Sequence, residues 1–469
     1  MDNRYKYLFK NTTILTIGQF SSKILSFFLV PLYTSVLSTK EYGSYDLAAT
    51  SVSLLIPILT LNISDGLMRF AMDKDKNIED VKSVAIKYEL IGCLPASIIV
   101  LIFYLLNLFP DYHQYYFYIL LFFISSSFYQ FGIQLAKGEE KVKEIAIAGV
   151  FSTIITVVLN ILLLLVLKFG LQGFYVTSII GQLIPALYLL YITGAFKSFC
   201  IIIDKRLQSE MLSYSIPAIM ISIGWWANSA SDRYFVTWMC GVETNGIYAI
   251  SYKIPTIITS IQNIVIQAWQ ISAIKEFQEK NYQKFYGNSF FHLNAVIVGA
   301  CSVLLLFTKV MARILYAKEF YQAWIYVPFL LISSVFNASA GFLGPILSAK
   351  KDTKTMAISS IYGTISNVIL NFVLIYLMRA QGAAIATAIS SAVIYYFRER
   401  KIRDDIEYSG IKQIIFSWVI VIIQAILIIC KINMFFQIPF VAIIMFIYRK
   451  EVIKILQLLR KALIRHAKN

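Results

Sequence analysis

The 469-residue sequence predicts an all-α integral membrane protein of about fourteen transmembrane helices, built as two six-helix bundles related by a parallel internal repeat plus two C-terminal helices. Three observations predict it: the apolar composition, the gathering of apolar residues into long runs, and the alternation of basic with weakly charged connections.

The chain is 58% hydrophobic and only 14% charged, where a soluble protein carries about 25% charged residues. Crossing the hydrocarbon takes about 20 apolar helical residues, because each adds only ~1.5 Å of rise. The purest runs are 98–109, 115–123, 154–167 and 414–430. With Gly, Asp, Lys and Glu as punctuation, the spans read 11–37, 44–68, 84–109, 115–135, 144–167, 173–195 and 211–239 in the first part. They continue as 247–270, 287–308, 322–347, 355–378, 382–397, 413–430 and 433–448. The first run is too long for a signal-peptide core and reads as a retained helix.

A net charge of +16 suggests nucleic acid, yet the basic residues lie between apolar runs and not on a polar face. Anionic lipid headgroups are their natural partners, and no nucleic acid is expected. Of the 42 Lys and Arg, 31 fall at the N-terminus and in the connections near 69–83, 136–143, 196–210, 271–286, 348–354, 398–412 and 449–469. The opposite connections hold 7. This bias predicts that both termini are cytoplasmic; the connection with Lys309, Arg313 and Lys318 fits it least. The five cysteines are scattered without a CxxC, and the three histidines form no ligand motif, so neither a metal nor a cofactor is expected.

An internal repeat is visible. The segment 135–141 (LAKGEEK), Asn160 and Gly170-Leu-Gln-Gly173 recur, at nearly constant offsets, as 348–354 (SAKKDTK), Asn371 and Ala380-Gln-Gly382. Glu41-Tyr-Gly-Ser-Tyr45 likewise parallels Thr244-Asn-Gly-Ile-Tyr248. Same-orientation repeats imply two bundles related by an axis along the membrane normal. The expected division is an N-terminal lobe 1–196, a C-terminal lobe 197–409, and helices 13 and 14 with a basic tail at 410–469.

Four groups of residues carry a family resemblance: 40–45 (KEYGSY), 231–236 (SDRYFV) with 246–249 (GIYA), 367–371 (NVILN) and 382–387 (GAAIAT). Together they resemble the Wzx-type O-antigen and polysaccharide repeat-unit flippases of the multidrug/oligosaccharidyl-lipid/polysaccharide exporter (MOP) superfamily. The resemblance spans nearly the whole chain. It implies a bacterial cytoplasmic (inner) membrane protein that is a transporter and not an enzyme. It implies an undecaprenyl-pyrophosphate-linked oligosaccharide as cargo, translocated to the outer face by alternating access. Partners would be that lipid, membrane lipids, and a polysaccharide polymerase and chain-length regulator.

The physical obstacle is the anionic headgroup, since a bare charge at mid-bilayer costs ~3 to over 10 kcal/mol. Ionisable residues inside spans are therefore candidates. Lys23 lies close to mid-bilayer in the polar setting Gln19-Phe-Ser-Ser-Lys23 and is expected to meet the cargo phosphate. Arg233 and Lys253, with Asn228, Gln130, Gln134, Asn367 and Asn371, extend the expected cargo site. The competing role for the amides is interhelical hydrogen bonding, and an Asp232–Lys253 ion pair is the competing role for those charges. Asp65, Arg69, Lys87, Glu89 and Asp232 form the expected gate or coupling set, with protons, sodium or membrane potential as drives left open. Side chains of this kind near helix ends also simply snorkel to the interface. Trp225-Trp226 offers sugar stacking or core packing. Rival readings are a MATE-like drug/cation antiporter with an anionic site, a lipid II flippase with an arginine-rich cavity, and a polytopic polysaccharide polymerase.

Overall fold

The computed structural model describes residues 27–73, 75–108, 110–197, 204–277, 279–451 and 453. All regular structure among the described residues is helical. The helices are α1 Val30–Val36, α2 Thr39–Leu59, α3 Ile63–Ala71, α4 Ile78–Leu105, α5 Tyr116–Gly138, α6 Val142–Asn160, α7 Gly170–Ile192 and α8 Lys205–Cys240. They continue as α9 Val242–Ser251, α10 Thr256–Glu276, α11 Tyr282–Leu315, α12 Val327–Ala349, α13 Thr353–Met378, α14 Ala380–Ile402, α15 Ile411–Ile429 and α16 Ile438–Ile447. Each expected span finds a helix or helix pair in order, the first only through α1. Ten described helices are long and apolar enough to cross a membrane, or eleven if the bent pair α2–α3 counts as one span.

The second span departs from the expected continuous helix. It starts earlier, because Ser38 and Glu41 form a capping box: the Ser38 hydroxyl accepts from Glu41 N–H at 3.2 Å and Glu41 Oε2 accepts from Ser38 N–H at 2.8 Å. It then breaks by 59° between α2 and α3. Pro57 supplies no amide to the helix, and Leu61 and Asn62 both take left-handed φ values, 53° and 50°. The eighth span breaks as well, between α9 and α10, where Pro255 caps α10.

Two compact units divide the chain at Ala230 and Ser231, inside α8. In the first, α5 packs on α7 and α3 packs on both α4 and α5. Their shared core contains Ile63, Leu67, Val81, Val84, Ala85, Phe131 and Leu135. The tyrosines of the 40–45 motif prove to be anchors: Tyr42 stacks on Tyr33 at 5.5 Å, and Tyr45 meets Phe174 at 4.5 Å while its hydroxyl bonds Ser178 at 2.7 Å. An exposed stripe of Leu94, Ile98, Leu101 and Leu105 on α4 suits contact with lipid.

In the second unit α12 is the central helix, packed by α10, α11, α14 and α15. The 382–387 motif supplies the close-packing face of α14, with Ala383, Ala384 and Ala386 fully buried; small residues let helix backbones approach. The last two spans join this unit, where Gln424 exchanges two hydrogen bonds with Ser302 at 2.8 and 3.1 Å. Within each unit the repeat keeps its turns. Glu140 and Lys351 (φ 56° and 58°), then Lys168 and Arg379 (φ 55° and 54°), take left-handed backbone at corresponding places.

After the Arg379 turn the chain doubles back so tightly that a Cβ at Gly382 would overlap the Leu374 carbonyl of α13. Gly382→Ala is therefore expected to cost about 1–3 kcal/mol as overpacking, read as a lower melting temperature of the purified protein. Asp352 caps α13, accepting from the Thr355 hydroxyl at 2.7 Å and its N–H at 3.0 Å, and these bonds hold its carboxyl below the usual aspartate range. A lowered folded value means the cap contributes fully above the ordinary range and is lost as pH falls through the lowered one. The melting-temperature gap between wild type and Asp352→Ala should thus be present at neutral pH and close as the buffer is taken below the ordinary aspartate range.

Candidate functional site

The break between α2 and α3 opens one wall of a cavity of about 610 Å³ inside the first unit, bounded also by α5, α7 and α8. Broken helices in transporter folds bring backbone and polar side chains to a site that a continuous helix would bury. The lining joins amides (Asn62, Gln130, Gln182), hydroxyls (Ser53, Ser126, Tyr129, Ser222), one carboxylate (Asp65) and two indoles (Trp225, Trp226). The side-chain amides of Gln130 and Gln182 make no hydrogen bond among the described residues. Ser126 Oγ is buried without a partner among them. Trp226 is fixed by donating its indole N–H to the Thr50 carbonyl at 3.0 Å, whereas Trp225 is 75% exposed.

Asp65 is held from two sides. Gln134 Nε2 donates to Asp65 Oδ1 at 2.6 Å, and Asn62 Nδ2 donates to Oδ2 at 3.0 Å. Lys137 Nζ donates to Gln134 Oε1 at 3.1 Å, so cation, amide and carboxylate lie in a row and dictate which way the amide points. Among the described residues, Asp65 is the sole carboxylate of the lining and no Lys or Arg lines it. The expected hollow is basic. Its principal cation, Lys23, lies outside the described residues.

Near the cavity, α4 carries Glu89, fully buried, with its carboxylate accepting from the Ser127 hydroxyl of α5 and from Ser64 of α3 at 3.5 Å. Glu89 makes no ion pair among the described residues. The expected network of Asp65, Arg69, Lys87 and Glu89 is not formed: Arg69 is exposed, and Lys87 donates instead to Gln208 Oε1 at 3.1 Å. The ion pairs at that end use other residues. Lys82 binds Glu139 at 2.8 Å, Glu139 binds Lys141 at 2.6 Å, and Lys76 binds Glu210 at 2.5 Å. Their sequence signal was present, as charges flanking spans, but partner choice depends on helix packing.

The second unit gathers the other expected residues without a shared cavity among the described residues. Asp232 is buried and accepts from the hydroxyls of Tyr248 at 2.7 Å and Tyr252 at 2.5 Å, in place of the alternative pair with Lys253. Arg233 lies 5.3 Å over the Tyr252 ring, and Lys253 sits half-buried in the break between α9 and α10. Asn371 Nδ2 donates to Asn367 Oδ1 at 2.8 Å, and Asn367 Nδ2 reaches Ser390 Oγ at 3.2 Å. The asparagines share a face as expected, but that face is buried, with Asn367 bonded to Ser390 of α14. In the first unit, Asn228 Oδ1 is buried without a hydrogen bond and lies off the cavity wall.

A family model described as polysaccharide biosynthesis protein matches residues 8–270. Among solved structures, the lipid II flippase MurJ in an inward closed conformation is similar with a TM-score of 0.69 at 15% identity, covering 95% of this chain and 99% of that one. An inward-facing multidrug resistance MATE family transporter of the MOP superfamily is similar with a TM-score of 0.66 at 14% identity, covering 83% and 98%. A MOP superfamily transporter from Pyrococcus furiosus, described as having a binding pocket of reverse polarity, gives 0.59 at 14% identity, covering 85% and 96%. No curated protein sequence matches. The fold is that of MOP-superfamily transporters, and the chain is a multi-pass membrane protein.

Proposed function

We propose, from the premise that the chain belongs to the polysaccharide biosynthesis protein family, that it is a flippase for an undecaprenyl-pyrophosphate-linked oligosaccharide. It carries an O-antigen, capsule or similar repeat unit from the cytoplasmic to the outer face of the cytoplasmic membrane by alternating access, with both termini cytoplasmic. The observation that carries the reading is the cavity wall of free amides, a carboxylate held by two amides, and an open tryptophan face. Sugars offer many hydroxyls that both donate and accept, and a C–H face that packs on an aromatic ring. Amide, carboxylate and indole answer those features directly. The pyrophosphate is assigned to Lys23, and coupling to Glu89, where a proton arriving and leaving changes the charge of an enclosed carboxylate.

Loss of the gene is expected to leave the lipid-linked repeat accumulating on the cytoplasmic face, with surface polysaccharide restored by a plasmid copy. An unchanged sidedness of the lipid-linked pool would end this reading. One observation favours a second: Asp65 with Trp225, Trp226 and Tyr129 also suits an organic cation, as in a drug/cation antiporter. Efflux of organic cations from cells making the protein, with the lipid-linked pool undisturbed, would favour it.

A further inference from the structure

The repeat is not symmetric where its last two helices meet. In the first unit, Ala136 of α5, Ala148 of α6 and Leu189 of α7 close the corresponding space with a buried apolar cluster, and Leu189 is fully buried. In the shared register set by Asn160 and Asn371, the counterparts of Ala148, Leu189 and Leu190 are Ser359, Arg400 and Lys401. There the second unit holds a cavity of about 320 Å³ between α13 and α14, lined by Thr355, Ile358, Ser359, Phe397, Arg400 and Lys401.

Three features show what it suits. Arg400 and Lys401 are exposed and make no hydrogen bond or ion pair among the described residues, so two positive charges line the opening, that of Lys401 also reaching the Asp352 carboxylate electrostatically. Behind them Arg398 is turned inward, donating to Ser359 Oγ at 3.1 Å, Ser360 Oγ at 3.3 Å and the Ala340 carbonyl at 2.9 Å. It braces the rear wall and leaves the two outer cations to bind. From the cavity an apolar strip climbs α13 through Ile358, Ile361, Tyr362 and Ile365, all exposed and spaced to share one face. Asp352, the nearby carboxylate, is engaged in capping α13.

A cationic recess at the membrane surface, continued by an apolar strip along the span, is complementary to one kind of molecule: a phosphate on a hydrocarbon tail. The geometry points to a binding site for an anionic phospholipid, with its headgroup phosphate between Arg400 and Lys401 and one acyl chain along α13. This site is built wholly from the second unit's residues and does not depend on what the protein transports.

The test is retention of phosphatidylglycerol by the purified full-length protein, followed by native mass spectrometry and by the melting-temperature rise that the lipid gives over phosphatidylcholine nanodiscs. Each surface cation contributes about fivefold to anionic-lipid binding, so Arg400→Gln with Lys401→Gln should weaken retention roughly 25-fold. Ile358→Trp, which fills the mouth and keeps both cations, should also abolish the temperature rise. Arg403→Gln, removing an exposed charge outside the lining, should leave it intact. Retention unchanged in the double variant, or kept in Ile358→Trp, overturns the assignment. So does an equal rise with soluble glycerophosphate, because the tail would then add nothing.

Discussion

Replacing Asp65 by alanine is expected to lower export of the lipid-linked repeat by about tenfold to a hundredfold at unchanged protein level. The carboxylate takes hydrogen bonds from Gln134 at 2.6 Å and Asn62 at 3.0 Å, and bonds to a charged group are each worth about 1.5–3 kcal/mol. Without it both amides lose their orientation, and with them the shape that the cavity wall presents to a ligand. Asp65→Asn tests whether charge or shape matters. An asparagine oxygen still accepts from one amide, but its NH₂ faces the other donor, so export should fall between wild type and alanine. Surface polysaccharide measured against immunoblotted protein is the readout. Export by Asp65→Ala equal to wild type would remove this cavity from the transport path.

Glu89→Gln is expected to leave a folded protein whose transport no longer responds to the proton gradient. Glutamine fills the same volume; its amide oxygen still accepts from the Ser127 hydroxyl and its NH₂ donates to a Ser64 hydroxyl turned to accept, but it cannot gain or release a proton. Glu89→Ala is a different lesion. It strands two buried hydroxyls beside the apolar core of α3, α4 and α5, at about 1–3 kcal/mol in stability. Vesicles with and without an imposed pH difference separate the two effects. If Glu89→Gln keeps the wild-type response to the gradient, the coupling proton is elsewhere.

The spans and the repeat were legible because hydropathy and basic residues vary along the chain on the scale of whole helices. The left-handed turns at Glu140, Lys168, Lys351 and Arg379 lie where the repeated segments end. The break at Leu61–Asn62 was less legible. Pro57 signalled a kink, but proline is tolerated in many membrane helices, and the left-handed pair after it follows from packing. The site shows the same limit. Spacing put Gln130 and Gln134 on one face, yet only Gln130 lines the cavity while Gln134 turns to Asp65. Gln182 and Asn62 went unnoticed because the rotation of a helix about its axis, which sequence does not specify, decides whether a polar residue meets a cavity or a neighbour. For Asn367 and Asn371 that rotation favoured the neighbour.

Arg398 has a mechanical consequence for the second unit. A single guanidinium grips α12 through Ala340 and α13 through Ser359 and Ser360 while itself rooted in α14. Sliding any one of the three helices past another would tear charged hydrogen bonds in a setting with little water to replace them. They must therefore travel as one stiff plate. Bending within this half is left to the seam at Tyr252–Pro255, where the helical ladder is already interrupted.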